Sequence, residues 1–67
     1  MSTPGRRPVQ WSAPEDGLWV LRVAGVEGGT IDRHGRGYFV TDAFSRYVGD
    51  YDNLGTAQSE LLHNLGA

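Results

Sequence analysis

The chain has 67 residues, no cysteine and a formal net charge of −2. A chain this short forms one domain and buries only about 60% of its unfolded surface, so its stability is marginal. Homodimerisation is one way to supplement it. The missing cysteine excludes disulfide scaffolds and thiolate metal sites, and no segment is long and apolar enough for a membrane span or a signal peptide. We therefore expect a cytoplasmic protein with no membrane association.

All basic residues apart from the two histidines are arginines, and acidic residues outnumber them by eight to six. With no overall positive charge, nucleic-acid binding would depend on a local basic patch. The absence of lysine beside ten glycines is typical of a GC-rich genome, such as that of an actinobacterium or its phage.

Residues 1–17, MSTPGRRPVQWSAPEDG, contain all three prolines. Apart from Met1, their only large apolar residues are Val9 and Trp11. This composition predicts a flexible N-terminal arm followed by a single domain at 18–67. Trp11 is a candidate anchor for the arm or a contact for a partner.

The next segments predict an antiparallel meander of three or four strands. Each is rich in β-branched or aromatic residues and is bounded by glycine or turn residues. The predicted strands cover residues 18–24, 30–33, 37–42 and 46–51.

In the last predicted hairpin, alternation pairs Phe39 with Val48 on one face of the sheet. We expect the helix to cover this face. The opposite face then stays open and carries three tyrosines: Tyr38, Tyr47 and Tyr51.

The C-terminal segment changes to a helical period, which predicts a helix at about 54–65. Asn53 is a suitable N-cap and Gly66 a suitable residue just after the helix. The fold class is thus α+β, with one C-terminal helix on one face of the sheet. The apolar stripe of the helix consists of Leu54, Ala57, Leu61, Leu62 and Leu65.

The stretch Asp50–Leu61, DYDNLGTAQSEL, resembles a calcium loop at its first, third and sixth positions. The fifth and twelfth positions, which need oxygen ligands, are Leu54 and Leu61. We therefore expect a strand-to-helix connection with no metal and no cofactor. No nucleophile and base lie in an activating pattern either, so we expect no catalytic residues and no enzyme activity.

The run Tyr47-Val-Gly-Asp-Tyr-Asp52 followed by Ala57 resembles the strand-to-helix junction of plant ethylene-response-factor DNA-binding domains and related phage integrase N-terminal domains. The resemblance implies a three-stranded antiparallel sheet backed by one helix, with DNA read from the open sheet face. It places Tyr47 among the DNA-facing aromatic residues and Arg22 on an arginine-bearing strand.

Two functions follow from these observations. The favoured one is a non-enzymatic module that binds a protein partner or a second copy of itself, since tyrosine and tryptophan are enriched at interfaces. The alternative is a DNA-binding domain, which the net charge disfavours. Candidate partner-binding residues are Trp11, Tyr38, Tyr47 and Tyr51, and candidate nucleic-acid contacts are Arg22, Arg33, Arg36 and Arg46.

Overall fold

The computed structural model describes residues 8–66, which form an antiparallel sheet of five strands with one helix packed on it. The strands follow one another in the sheet in chain order, so the sheet is a meander, as the sequence predicts. The elements are β1 (Val9–Glu15), β2 (Leu18–Val23), β3 (Val26–His34), β4 (Gly37–Asp42), β5 (Tyr47–Tyr51) and α1 (Leu54–Gly66).

Strand β1 corrects the predicted N-terminal arm. Residues 9–15 pair with β2 along the edge of the sheet, and residues 1–7 lie outside the described part of the chain. Pro14 is compatible with this strand because it lies on an edge, within the irregular stretch between Ser12 and Glu15. Trp11 packs against the hydrophobic core, which fixes the strand to the domain.

Helix α1 packs on β3, β4 and β5, and the core beneath it also includes Leu21 of β2. Side chains directly opposite one another in adjacent strands share a face, and Ile31 lies opposite Val40 in this way. Ala57 and Leu61, four residues apart on α1, meet this row. Leu54 packs beside the core, whereas Leu62 and Leu65 of the predicted apolar stripe are exposed. The fully buried residues are Leu21, Ile31, Val40, Ala57 and Leu61.

Two glycines in β3 allow the helix to approach the sheet. Gly28 is the extra residue of a bulge opposite Leu21 and Arg22, and Gly29 lies opposite Leu21. A Cβ atom at Gly29 would lie 2.8 Å from Leu61 Cδ1 and 2.5 Å from the Thr41 carbonyl oxygen. A side chain at this position would therefore push α1 away from the sheet.

The start of α1 is capped as the sequence predicts. The Thr56 backbone N–H donates a hydrogen bond of 2.8 Å to Asn53 Oδ1, which satisfies one of the free donors of the first helical turn. The helix extends through Gly66, about one residue beyond the predicted end.

The expected choice of sheet face is wrong. Helix α1 covers the face that bears Val40, and Tyr38 and Tyr51 pack against the core on that side. Phe39 points to the opposite side and is exposed. The residues that decide which face the helix covers lie outside the β4–β5 hairpin. Only the face that bears Val40 continues as an apolar row across the next two strands, through Ile31 and Trp19.

We predict that Gly29→Ala destabilises the protein by about 3 kcal/mol, because the new methyl group would overlap Leu61 and strain a backbone at φ 148°. Urea denaturation measures the loss. The matched control is Gly35→Ala, which also has a positive φ (60°) but has no atom within 4 Å of the added Cβ, and should cost about 1 kcal/mol. Equal losses in both variants would contradict the close approach of the helix at Gly29.

Candidate protein-binding surface

The sheet face opposite α1, here called the open face, has no covering element among residues 8–66. Its composition follows from the strand register, because directly opposite residues share a face. One row across all five strands consists of Glu15, Leu18, Asp32, Phe39 and Asp50. The neighbouring row consists of Ser12, Val20, Thr30, Thr41 and Tyr47.

An aromatic strip crosses the open face diagonally. The ring centroids of Phe39 and Tyr47 are 6.1 Å apart, and the His34 ring meets the Phe39 ring edge to face at 5.2 Å. The exposed fractions of Phe39 and Tyr47 are 38% and 63%. These geometries are typical of favourable aromatic pairs, so the strip presents ordered apolar surface to solvent.

A bulge at the start of β5 places Tyr47 in this strip. Tyr47 lies opposite Thr41, whereas Gly49 lies opposite Val40, so Val48 is the extra residue. Val48 consequently packs towards the core with the helix-side residues. Simple alternation puts Tyr47 opposite Val40, on the helix side. The one sequence signal for this change is Gly49, since glycine inside a strand often marks a bulge.

Carboxylates dominate the charge of the open face. Asp32 and Asp50 lie on either side of Phe39 in the same row. The face also bears Glu15 and Glu27, and the one guanidinium that the described strands place there is that of Arg22, opposite Glu27. The aromatic strip thus lies in a negatively charged surround.

The Tyr47 hydroxyl has a raised pKa. Partial desolvation contributes most, and the adjacent Asp50 carboxylate contributes further, because it disfavours a second negative charge. Tyr47 therefore remains a neutral hydrogen-bond donor well above neutral pH.

The other predicted partner-binding residues lie on the helix side of the sheet. The Tyr38 ring packs against Trp19 at a tilt of 57°, with ring centroids 5.7 Å apart, and the Tyr51 ring lies over Gly49, where a Cβ would be 2.6 Å from its hydroxyl oxygen. Trp11 is opposite Leu21 and half-buried. Of the four predicted residues, Tyr47 alone lies on the open face, whereas Phe39 and His34 were not predicted as part of a site.

The four predicted nucleic-acid contacts do not form one patch. Arg22 lies on the open face, and Arg33 points to the helix side, 3.7 Å from the Asp16 carboxylate. Arg36 lies in the β3–β4 turn, while the Arg46 guanidinium lies 5.5 Å above the Phe44 ring in the β4–β5 loop. These two turns are at opposite ends of β4, about 20 Å apart.

The Asp50–Leu61 stretch connects β5 to α1. Leu54, at the fifth position of the calcium-loop pattern, is already helical and packs against the core. Across residues 8–66, no group of three His, Asp or Glu side chains is placed to hold a metal ion. In the same part of the chain, no helix is long and apolar enough to cross a membrane.

No protein-family model, curated protein or solved structure matches the chain. The resemblance to the plant and phage DNA-binding domains therefore stays a prediction that rests on the β5–α1 junction.

We predict that Asp50→Asn lowers the pKa of Tyr47 towards its ordinary value, because the substitution removes the neighbouring negative charge. The pH titration of the assigned Tyr47 ring signals by NMR measures the change. Asp52→Asn is the matched control, since Asp52 is exposed and does not contribute to the Tyr47 shift. Equal effects of the two substitutions would contradict the specific pairing of Tyr47 with Asp50.

Proposed function

We propose that the protein is a non-enzymatic binding module whose open face recognises a basic segment of a partner protein. One observation carries this proposal: Phe39 and Tyr47 form an exposed aromatic pair on the sheet face that α1 does not cover. Aromatic side chains exposed in a fixed geometry are the usual anchors of protein interfaces.

The charge of the open face supports a basic partner. Carboxylates at Asp32 and Asp50 flank the Phe39 ring. A lysine or arginine that reaches this row would meet a carboxylate and an aromatic ring together, and both interactions favour a cation. An apolar residue beside the cation would fill the surface between Phe39 and Tyr47. Two open faces in contact would instead bring like charges together, which disfavours self-association through this surface.

The same charges weigh against the alternative, a DNA-binding sheet. Affinity for DNA comes largely from cations that neutralise phosphates, and the open face carries Arg22 among several carboxylates. Tyr47 does lie where the resemblance to DNA-binding domains implies a DNA-facing residue. A basic protein segment with an adjacent apolar residue could contact the aromatic pair and form ion pairs with the carboxylates.

Selection from a random peptide library displayed on phage tests the proposal, with the full chain as bait and the variant Phe39→Ser/Tyr47→Ser as counter-selection. We expect the recovered peptides to be enriched in arginine or lysine next to apolar residues. In NMR titrations, such a peptide should shift the backbone amides of β4 and β5. Asp32→Asn/Asp50→Asn should weaken its binding at least about tenfold, consistent with the loss of two charge pairs.

Phe44→Ser is the matched control, because Phe44 is 77% exposed but lies in the β4–β5 loop and not on the open face. It should leave peptide binding unchanged. The proposal fails if no peptide survives the counter-selection, or if acidic peptides are recovered. A labelled DNA duplex is the second probe. Salt-dependent binding of this duplex would favour the DNA-binding alternative if substitution of Arg22, Arg33, Arg36 and Arg46 by serine abolishes it.

A further inference from the structure

Strand β1 is one edge of the sheet, and its outward backbone groups have no partner strand in the part of the chain that the structure describes. The Ala24 N–H donates to the Pro8 carbonyl oxygen at 2.9 Å, and the register continues from this pair through Val9↔Val23 to Trp11↔Leu21. In an antiparallel pair, the residues alternate between bonding the neighbour and pointing away from it. The N–H and C=O groups of Val9 and Trp11 therefore point away from β2.

The first part of the β1 edge lacks the features that usually prevent pairing with another strand. Charged side chains, bulges and prolines protect natural edges. In β1 these features lie at the end of the strand, where the register shifts between Ser12 and Glu15 and the residues include Pro14, whereas residues 9–12 are VQWS and contain none of them. The opposite edge, β5, differs. It is only five residues long, has a bulge at Val48 and carries Asp50.

The apolar side chains of β1 are also incompletely covered. Helix α1 packs on β3, β4 and β5, so it does not reach β1. Val9 is 45% exposed, and Trp11 is half-buried beside it on the helix side. An added strand along this edge would shield both side chains as well as the free backbone groups.

We propose that two copies of the chain pair antiparallel through their β1 edges, with Gln10 opposite Gln10 on a two-fold axis. This register places each outward-pointing Val9 opposite Trp11 of the second copy, so both residues can exchange backbone hydrogen bonds. The resulting aromatic–β-branched pairs are favourable cross-strand contacts. A two-fold axis makes the same edge complementary to itself, and the uncharged run between Val9 and Ala13 brings no like charges together.

The product is a continuous sheet of ten strands with both helices on one side. Both open faces then lie on the other side, free to bind, so this inference does not depend on the proposed function. Since a short chain gains stability from association, the dimer also extends the small core.

Cysteine cross-linking tests the register, because the natural chain has no cysteine. Gln10→Cys places two thiols in a directly opposed pair, within the distance that a disulfide needs. We expect this variant to form a covalent dimer rapidly on mild oxidation. Ser12→Cys lies on the same strand and face but is offset by about 13 Å from Ser12 of the second copy, so it should cross-link far more slowly.

Sedimentation at increasing protein concentration tests the dimer itself. Gln10→Glu should weaken association about fivefold, because it opposes two like charges at the axis. Ser12→Glu adds the same charge on the same face and should have little effect. A chain that stays monomeric at high concentration overturns the inference, as does equal cross-linking at both positions. Loss of the dimer in Phe39→Ser/Tyr47→Ser would also overturn it, because the interface would then be the open face.

Discussion

The close contact between the C-terminal half of α1 and strand β3 is the constraint on which the rest of the structure depends. Leu61 reaches the sheet at Gly29, where the backbone has φ 148° and a Cβ atom would overlap the leucine side chain. Leu65 makes a similar approach at Gly28. These contacts bury Leu21, Ile31 and Val40 beneath the helix, and they fix which side of the sheet becomes the interior.

Once the interior is fixed, the remaining surfaces follow from the number of elements. One helix about 10 Å wide covers roughly two to three strands at a spacing of about 4.8 Å, and α1 packs on β3, β4 and β5. The sheet has five strands, so among residues 8–66 β1 has no covering helix and the second face has no covering layer. The two surfaces differ in chemistry. Residues 9–12 of the β1 edge are uncharged and offer backbone groups, whereas the open face combines aromatic rings with carboxylates.

Local sequence patterns predicted most of the secondary structure. Alternation and flanking glycines located β2, β4 and β5 to within about one residue, but only the middle of β3. The leucine spacing together with Asn53 located α1 to within about one residue. The pattern failed at β1, because Pro14 and the polar residues around Trp11 are typical of an arm, and only pairing with β2 makes this segment a strand. This pairing spans only the two-residue turn of Asp16 and Gly17, and the Asp-Gly dipeptide is the local signal that indicates a hairpin here.

The candidate surface was harder to predict than the fold. A bulge of one residue reverses the direction of every side chain beyond it. The bulge at Val48 therefore exchanges the positions of Val48 and Tyr47, while Tyr51 stays on the helix side. To predict which face the helix covers, the residues of β2, β3 and β4 must be compared together. One face bears the apolar Leu21 and Ile31, whereas the other bears the polar Thr30 and Asp32. A single hairpin does not contain this information.

Edge pairing and face recognition support each other physically. A dimer through β1 would place the two open faces on the same side of one continuous sheet. The Phe39–Tyr47 pairs of the two copies would then lie in opposite halves of that sheet. A partner with two basic segments could then engage both faces, and the second contact would be intramolecular, which raises the overall affinity without any new type of interaction. A monomer of marginal stability and a weak single site would thus combine into a more stable protein with tighter binding. The β1 edge is the element on which this gain depends, because no other described surface aligns the two faces.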